Sequence, residues 1–324
     1  PIKSASHTWR AIESAKKLIE KGACYLLGDG KSINIWVDPW VPWIEGFKPK
    51  PRIEEYSHIP FKAHHLFDQS MKSWDSGMVK EIFAPADAQS ILTIPIPLSP
   101  RQDKLIWLPD PKGIFSVKSV HQEGKADLAK AKLNVAARFS ELSKVYSPIT
   151  NHSPDPLSTS WFPPPPECIK INVDAALNSS KSALAVVARN HLGDVLFVWG
   201  KQHHLCTPSQ AEASALLWAV QLAIQNHWNA VIFEGDAKIC FDALTLPDQT
   251  PGWQLSTLIS NIRCLSSNFL PCNFCWVRRA ANSAAHEAAS FALISVLPFC
   301  FSEGNLPPSL EAVCKGDASV CRSS

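Results

Sequence analysis

Three carboxylates in the second half of the chain, Asp174, Glu212 and Asp236, stand where their neighbours argue against a solvated charge. Asp174 lies in "KINVDAAL", where Ile169, Ile171 and Val173 alternate with Lys170, Asn172 and Asp174 in the period-2 pattern of a half-buried strand. Glu212 falls in a helical pattern that begins at Pro208. At about 100 degrees per residue it shares a face with Ala215, Leu216, Ala219 and Ala223, opposite Gln210, Ser214, Gln221 and Gln225. Asp236 follows the apolar stretch "NAVIFEG" and opens the next helix, at the end of a strand where sites of open sheets gather. Carboxylates brought together raise one another's pKa unless cations neutralise them, and hard oxygen donors suit Mg²⁺. Two such ions can hold the attacking water and the leaving oxygen of a phosphodiester. Each acid also has a plainer reading. Asp174 can face solvent, Glu212 can close a capping box with Ser209, and Asp236 can be an N-cap. The "TP" at Thr207 and Pro208 favours Thr207 as the cap, which leaves Glu212 beyond the capping position.

The elements around these acids read as strands at 168–176, 183–190 and 194–202, a helix over 208–227, and a strand at 229–234. A short helix at 237–244, a helix at 253–266, a strand at 272–279 and a helix at 283–296 follow. Three strands in meander, then strands alternating with helices, predict an α/β fold: a mixed five-stranded sheet with helices on both faces. A crossover helix returns the fourth strand beside the first, in parallel. That topology brings Asp174, Glu212 and Asp236 to one side of the pair.

Upstream, the stretch "SPITNHSPDPLSTSWFPPPP" has the Pro/Ser content of a linker, which sets a boundary near residue 160. The expected organisation is an irregular, Pro- and Trp-rich region at 1–146 without an evident core, a linker at 147–166, the α/β domain at 167–297 and a disordered tail at 298–324. Within the first region only Thr8–Lys21 and Lys125–Leu142 look helical. Lys and Arg number 31 against 29 Asp and Glu, so any polyanion must be held by a local site rather than by a global field. The ten cysteines are scattered, which points to a reducing, intracellular setting. Cys272 and Cys275 form a lone C-x-x-C inside "CNFCWV" that reads as strand more readily than as a zinc site. No apolar run approaches the roughly 20 residues that cross a bilayer, so no membrane association is expected. The N-terminus lacks Met and a secretory apolar run, so the chain reads as a fragment or a misjoined open reading frame, nuclear or cytoplasmic.

Five blocks, "WFPPPPECIKINVDAAL", "VVARNHLGDVL", "SQAEASALLWAV", "VIFEGDAKICFDAL" and "WVRRAANSAAHEAA", resemble in order the motifs of the plant ribonuclease H-like domain of non-LTR retrotransposon polyproteins. The resemblance covers residues 161–296. The upstream segment "SHTWRAIESAKKLIEKGACYLLGDGKSINIWVDPWVP" resembles the region after the reverse transcriptase in the same polyproteins. The stretch beginning "SWDSGMVKEIF" resembles the start of their zinc-binding-type segment, whose Cys/His-bearing part is missing after Val120. The resemblance implies two-metal cleavage of the RNA strand of RNA:DNA hybrids, with Asp174, Glu212 and Asp236 as ligands of two Mg²⁺ ions. His286 occupies a position that is acidic in other members of the family, which implies weaker activity or a shift toward Mn²⁺. Glu287 is one residue along the same helix and about 100 degrees away, so it substitutes poorly. Ala175, Ala183 and Ala185 stand where relatives carry glycine. Arg189, Arg278, Arg279 and Asn282 are the residues expected at the nucleic acid, with Lys201, Lys238, His203 and His204 as further basic groups. A monomer is expected. The alternative is a catalytically inactive, nucleic-acid-binding retrotransposon relic.

Overall fold

The computed structural model describes residues 19–70, 72–116, 160–246 and 248–322, with side chains to residue 317. The chain divides into two compact units, Pro1–Asn134 and Val135–Ser324. The division falls in 117–159, outside the described residues, as do most of the helix expected over Thr8–Lys21 and all of that over Lys125–Leu142.

The first unit does pack a core, contrary to expectation. Leu27, Ile33, Ile35, Trp40, Val41, Leu66, Val79, Phe83 and Ile91 are buried together. Two short helices that the sequence reading missed, α1 (Ser76–Ile82) and α2 (Pro85–Leu92), supply part of it. Asp75 caps α1 by accepting from the Met78 amide at 2.9 Å, and Pro85 opens α2 at a position where its missing N–H costs nothing. The rest is irregular, as expected. Tryptophan indoles satisfy the loop backbone: Trp40 donates to the Ile35 carbonyl at 3.0 Å and Trp74 to that of Ile94 at 2.8 Å. A two-stranded sheet pairs β1 (Ala23–Leu26) with β2 (Lys104–Trp107). Beside it, the Asp103 carboxylate accepts from the amides of Gly28 at 2.8 Å, Gly30 at 2.9 Å and Ser32 at 3.0 Å, and from the Ser32 hydroxyl at 2.7 Å. Asp103→Ala orphans these donors. A loss of about 3 kcal/mol in this unit is expected, read as a lower urea midpoint by tryptophan fluorescence.

The second unit carries a six-stranded mixed sheet in the order β7-β6-β3-β4-β5-β8. Its strands are β3 (Ile169–Leu177), β4 (Ser182–Arg189), β5 (Val195–His203), β6 (Val231–Gly235), β7 (Cys272–Trp276) and β8 (Phe299–Phe301). The expected meander is β3–β4–β5, and β6 lies parallel to β3 and to β7. Helices cover both faces. On one, α3 (Pro208–Gln225) and α5 (Trp253–Ser266) bury Ile171, Val173, Val186, Leu216, Ala219, Leu258 and Ile262. On the other, α6 (Ser283–Ile294) lays Ala284, Ala285, Ala288 and Ala289 on Ala185, Val187 and Val198, small residues that allow close approach. The short helix α4 (Lys238–Thr245) follows β6. Cys272 and Cys275 lie in β7 as expected of a plain strand, three positions apart and therefore on opposite faces.

The sheet has a sixth strand beyond the five expected, β8, paired to β5 through Val198, Trp199 and Gly200. Gly200 makes room for it, because a Cβ there would stand 2.2 Å from the Phe299 ring. The tail expected to be disordered forms β8 and helix α7 (Pro308–Arg322). Leu310, Val313, Cys314 and Asp317 recur at helical spacing; Leu310 and Cys314 are buried in the α6 face, and Pro308 opens the helix. The end of the expected linker is also part of the fold, since Trp161 is 1% exposed and donates to Asn172 Oδ1 at 3.0 Å. Among the described residues no helix is long and apolar enough to cross a membrane.

Candidate active site

β3 and β6 pair in parallel from Ile169–Val231 to Asn172–Glu234 and no further. Asp174 and Asp236 each lie two residues past the last pair, at the mouth left where the strands part. Gly235 lets the chain turn there, because a Cβ would stand about 3 Å from Phe241 and Val173. Helix α3 delivers Glu212 to the same mouth. Thr207 caps it and Gln210 closes the box, so the alternative Ser209–Glu212 box does not form. Asp236 is not the cap of α4 either. That position belongs to Ala237, which makes no side-chain cap bond. The backbone carbonyl of Asp236 instead accepts from the Trp276 indole at 2.9 Å, which pins the turn.

One carboxylate oxygen each of Asp174, Glu212 and Asp236 lies within 4.8 Å of the others. Asp174 is 3% exposed. Burial first, then the charge of Asp236, pushes its carboxyl up to about 7, against the pull of His286 and Arg279. Burial, with Asp174 and Asp236, likewise pushes Glu212 well above the usual carboxylate range, although the Ala175 amide hydrogen-bonds it. Three hard oxygen donors this close together fit a divalent cation of the Mg²⁺ class.

Helix α6 brings His286 to the edge of the cluster, with its Nδ1 3.0 Å from Asp174 Oδ2. Arg279 Nη2 lies 2.8 Å from His286 Nε2. The same Nη2 lies 3.1 Å from His286 Nδ1, so the guanidinium sits against both ring nitrogens and sets no single tautomer. Arg278 and Arg279 are exposed beside the helix start, a placement open to phosphate.

Two residues expected at nucleic acid are elsewhere. Arg189 is 1% exposed. Its guanidinium pairs with Asp317 Oδ2 at 2.7 Å, donates to Asn172 Oδ1 at 2.9 Å and lies 3.6 Å from the centre of the Trp161 ring. Asn282 is fully buried; it donates to the Val173 carbonyl at 2.9 Å and accepts from Asn172 at 3.2 Å. Both are interior because β4 is covered on both faces and because α6 starts against β3. Asn172 also donates to Glu234, whose carboxylate pairs with Lys170 at 2.7 Å. This buried network holds β3, β6, α6 and α7 around Asp174. The sequence offered one signal for it: Asn172 shares the strand face of Asp174.

Ala183 and Ala185 are fully buried, with Ala185 directly opposite Asp174 and under α6.

The unit is similar to several solved structures. A ribonuclease H1 from the halophilic archaeon Halobacterium salinarum NRC-1 is 24% identical, with a TM-score of 0.37 over 39% of this chain and 97% of that one. The N-terminal ribonuclease H domain of a Mycobacterium tuberculosis protein is 21% identical, with a TM-score of 0.37 over 39% and 93%. A foamy viral protease-reverse transcriptase in complex with an RNA/DNA hybrid is 14% identical, with a TM-score of 0.35 over 47% of this chain and 23% of that one. No curated protein matches. A family model described as reverse transcriptase-like matches residues 172–292, a span that holds all three acids and His286.

Proposed function

We propose that the second unit is a ribonuclease H-type endonuclease that hydrolyses the RNA strand of RNA:DNA hybrids. The observation that carries this reading is the convergence of Asp174, Glu212 and Asp236 within 4.8 Å at a strand mouth. The reverse transcriptase-like match over 172–292 supports it, as do the order of the five motifs and the resemblance of the upstream segment to retroelement polyproteins. The three carboxylates would hold two Mg²⁺ or Mn²⁺ ions, which supply Lewis-acid activation of water and neutralise charge at the leaving oxygen. Asp174 and Glu212 position the reacting phosphate's surroundings by being fixed in the strand and at the start of α3. His286, partly exposed and bonded to Asp174, stands where it can take or return a proton at the rim. Arg278 and Arg279 offer cations to the hybrid's phosphates.

The test is cleavage of an end-labelled RNA:DNA hybrid by the full chain in Mg²⁺ and in Mn²⁺, with DNA duplex and single-stranded RNA as controls. Hybrid-specific cleavage abolished by EDTA is expected; no cleavage with either ion removes the catalytic reading.

One contact favours a second reading, a silent hybrid-binding relic. Asp174 Oδ2 is engaged by His286, itself backed by Arg279. If the natural chain binds hybrid without turnover and His286→Asp confers Mg²⁺-dependent cleavage, that reading holds.

A further inference from the structure

We propose that His203, His204 and Cys206 form a transition-metal site of the Zn²⁺ class, separate from the carboxylate cluster. The "HHLC" stretch runs from the last residue of β5 into the turn before α3. One ligand atom of each residue lies within 4.8 Å of the others. Two imidazoles and a thiolate are the donors that Zn²⁺, Co²⁺ and Ni²⁺ prefer over Mg²⁺. The ring centroids of His203 and His204 are 3.8 Å apart, so the two imidazoles lie side by side. A tetrahedral centre with bonds of about 2.0–2.3 Å asks for about 3.3–3.7 Å between donors. Closing the difference takes roughly 1 Å, within reach of a rotamer change at His204, which is exposed.

The surroundings suit binding. Binding displaces the Cys206 thiol proton to solvent and leaves the thiolate on the ion. Ser182 ties the turn in place: its hydroxyl donates to the His204 carbonyl at 2.6 Å and lies 3.8 Å from Cys206 Sγ. Three protein donors leave a fourth position for water. Cys206 directly precedes Thr207, the cap of the helix that carries Glu212, so a bound ion would clamp the β5–α3 turn.

The experiment uses the full chain stripped of metal and titrated with Co²⁺, followed by near-ultraviolet absorption. A thiolate-to-cobalt band that saturates at one equivalent, is displaced by Zn²⁺, and disappears in Cys206→Ser and in His204→Gln is expected. Asp174→Asn should keep the band, since carboxylates give none. Zn²⁺ should raise Tm in the natural chain and not in His204→Gln, whose fold is checked by circular dichroism. Absence of the band, its survival in His204→Gln, or its loss in Cys272→Ser instead would overturn the proposal. Because no readout depends on cleavage, failure of the hydrolase reading leaves this test intact.

Discussion

Asp174→Asn is expected to lower metal-dependent hybrid cleavage by at least about 10³-fold, several kcal/mol of transition-state stabilisation at about 1.4 kcal/mol per decade. The same substitution should make the metal-free chain more stable above neutral pH. In the fold, burial and Asp236 raise the Asp174 carboxyl from 3.8 to about 7. A group raised on folding contributes stability that is present below its unfolded value and lost as pH climbs through the folded one. The metal-free wild type therefore loses stability between about pH 4 and 7, on the order of a few kcal/mol from this group, whereas asparagine does not titrate. Taking the variant-minus-wild-type difference cancels the carboxylates that behave oppositely, such as Asp103. Urea midpoints at pH 5 and pH 8, each with EDTA and with Mg²⁺, give four numbers for each protein. The variant should gain on the wild type from pH 5 to pH 8 in EDTA, and Mg²⁺ should reverse the ranking at pH 8. A difference that stays flat with pH would remove the electrostatic account of the cluster.

Arg189→Ala should cost about 3–5 kcal/mol, the range for stripping one partner from a buried ion pair. It takes the guanidinium from Asp317 and from Asn172, which keeps only the Trp161 indole of these two donors, and empties the face of Trp161. Asp317→Ala should cost a similar amount through the orphaned guanidinium. The double variant should cost less than the sum of the two, because the second deletion removes a group that has already lost its counter-charge. Additive losses in a denaturant cycle would show that the pair does not couple α7 to β4.

How much of this was legible in the sequence depends on which signal each residue leaves. The strands β3 to β7 and the helices α3 to α6 were readable because hydrophobic period and cap chemistry agree there. Thr207 and Pro208 marked the start of α3, and the apolar face around Glu212 marked that acid as inward. The meeting of Asp174, Glu212 and Asp236 followed from topology, since a crossover places the fourth strand beside the first. Arg189 and Asn282 were misread because charge and polarity suggest surface by default. What buries them is tertiary: Asp317, distant in sequence, supplies the counter-charge. The tail was misread for a related reason. A chain end reads as disorder, whereas Leu310 and Cys314 gain their value only once α6 presents an apolar face. In the first unit, proline-broken segments hid a core that tryptophan indoles make possible by bonding the loop carbonyls.

The tether between β4 and α7 bears on where this domain can be cut. A piece trimmed to the family-matched span, 172–292, would omit Trp161 on one side and β8 with α7 on the other. Arg189 would then sit in the interior with neither its stacking ring nor its counter-ion, and the edge of β5 around Trp199 would be left open to pair with another chain. Such a piece invites aggregation during expression, and soluble yield should return when the boundaries are widened to take in Trp161 and Asp317.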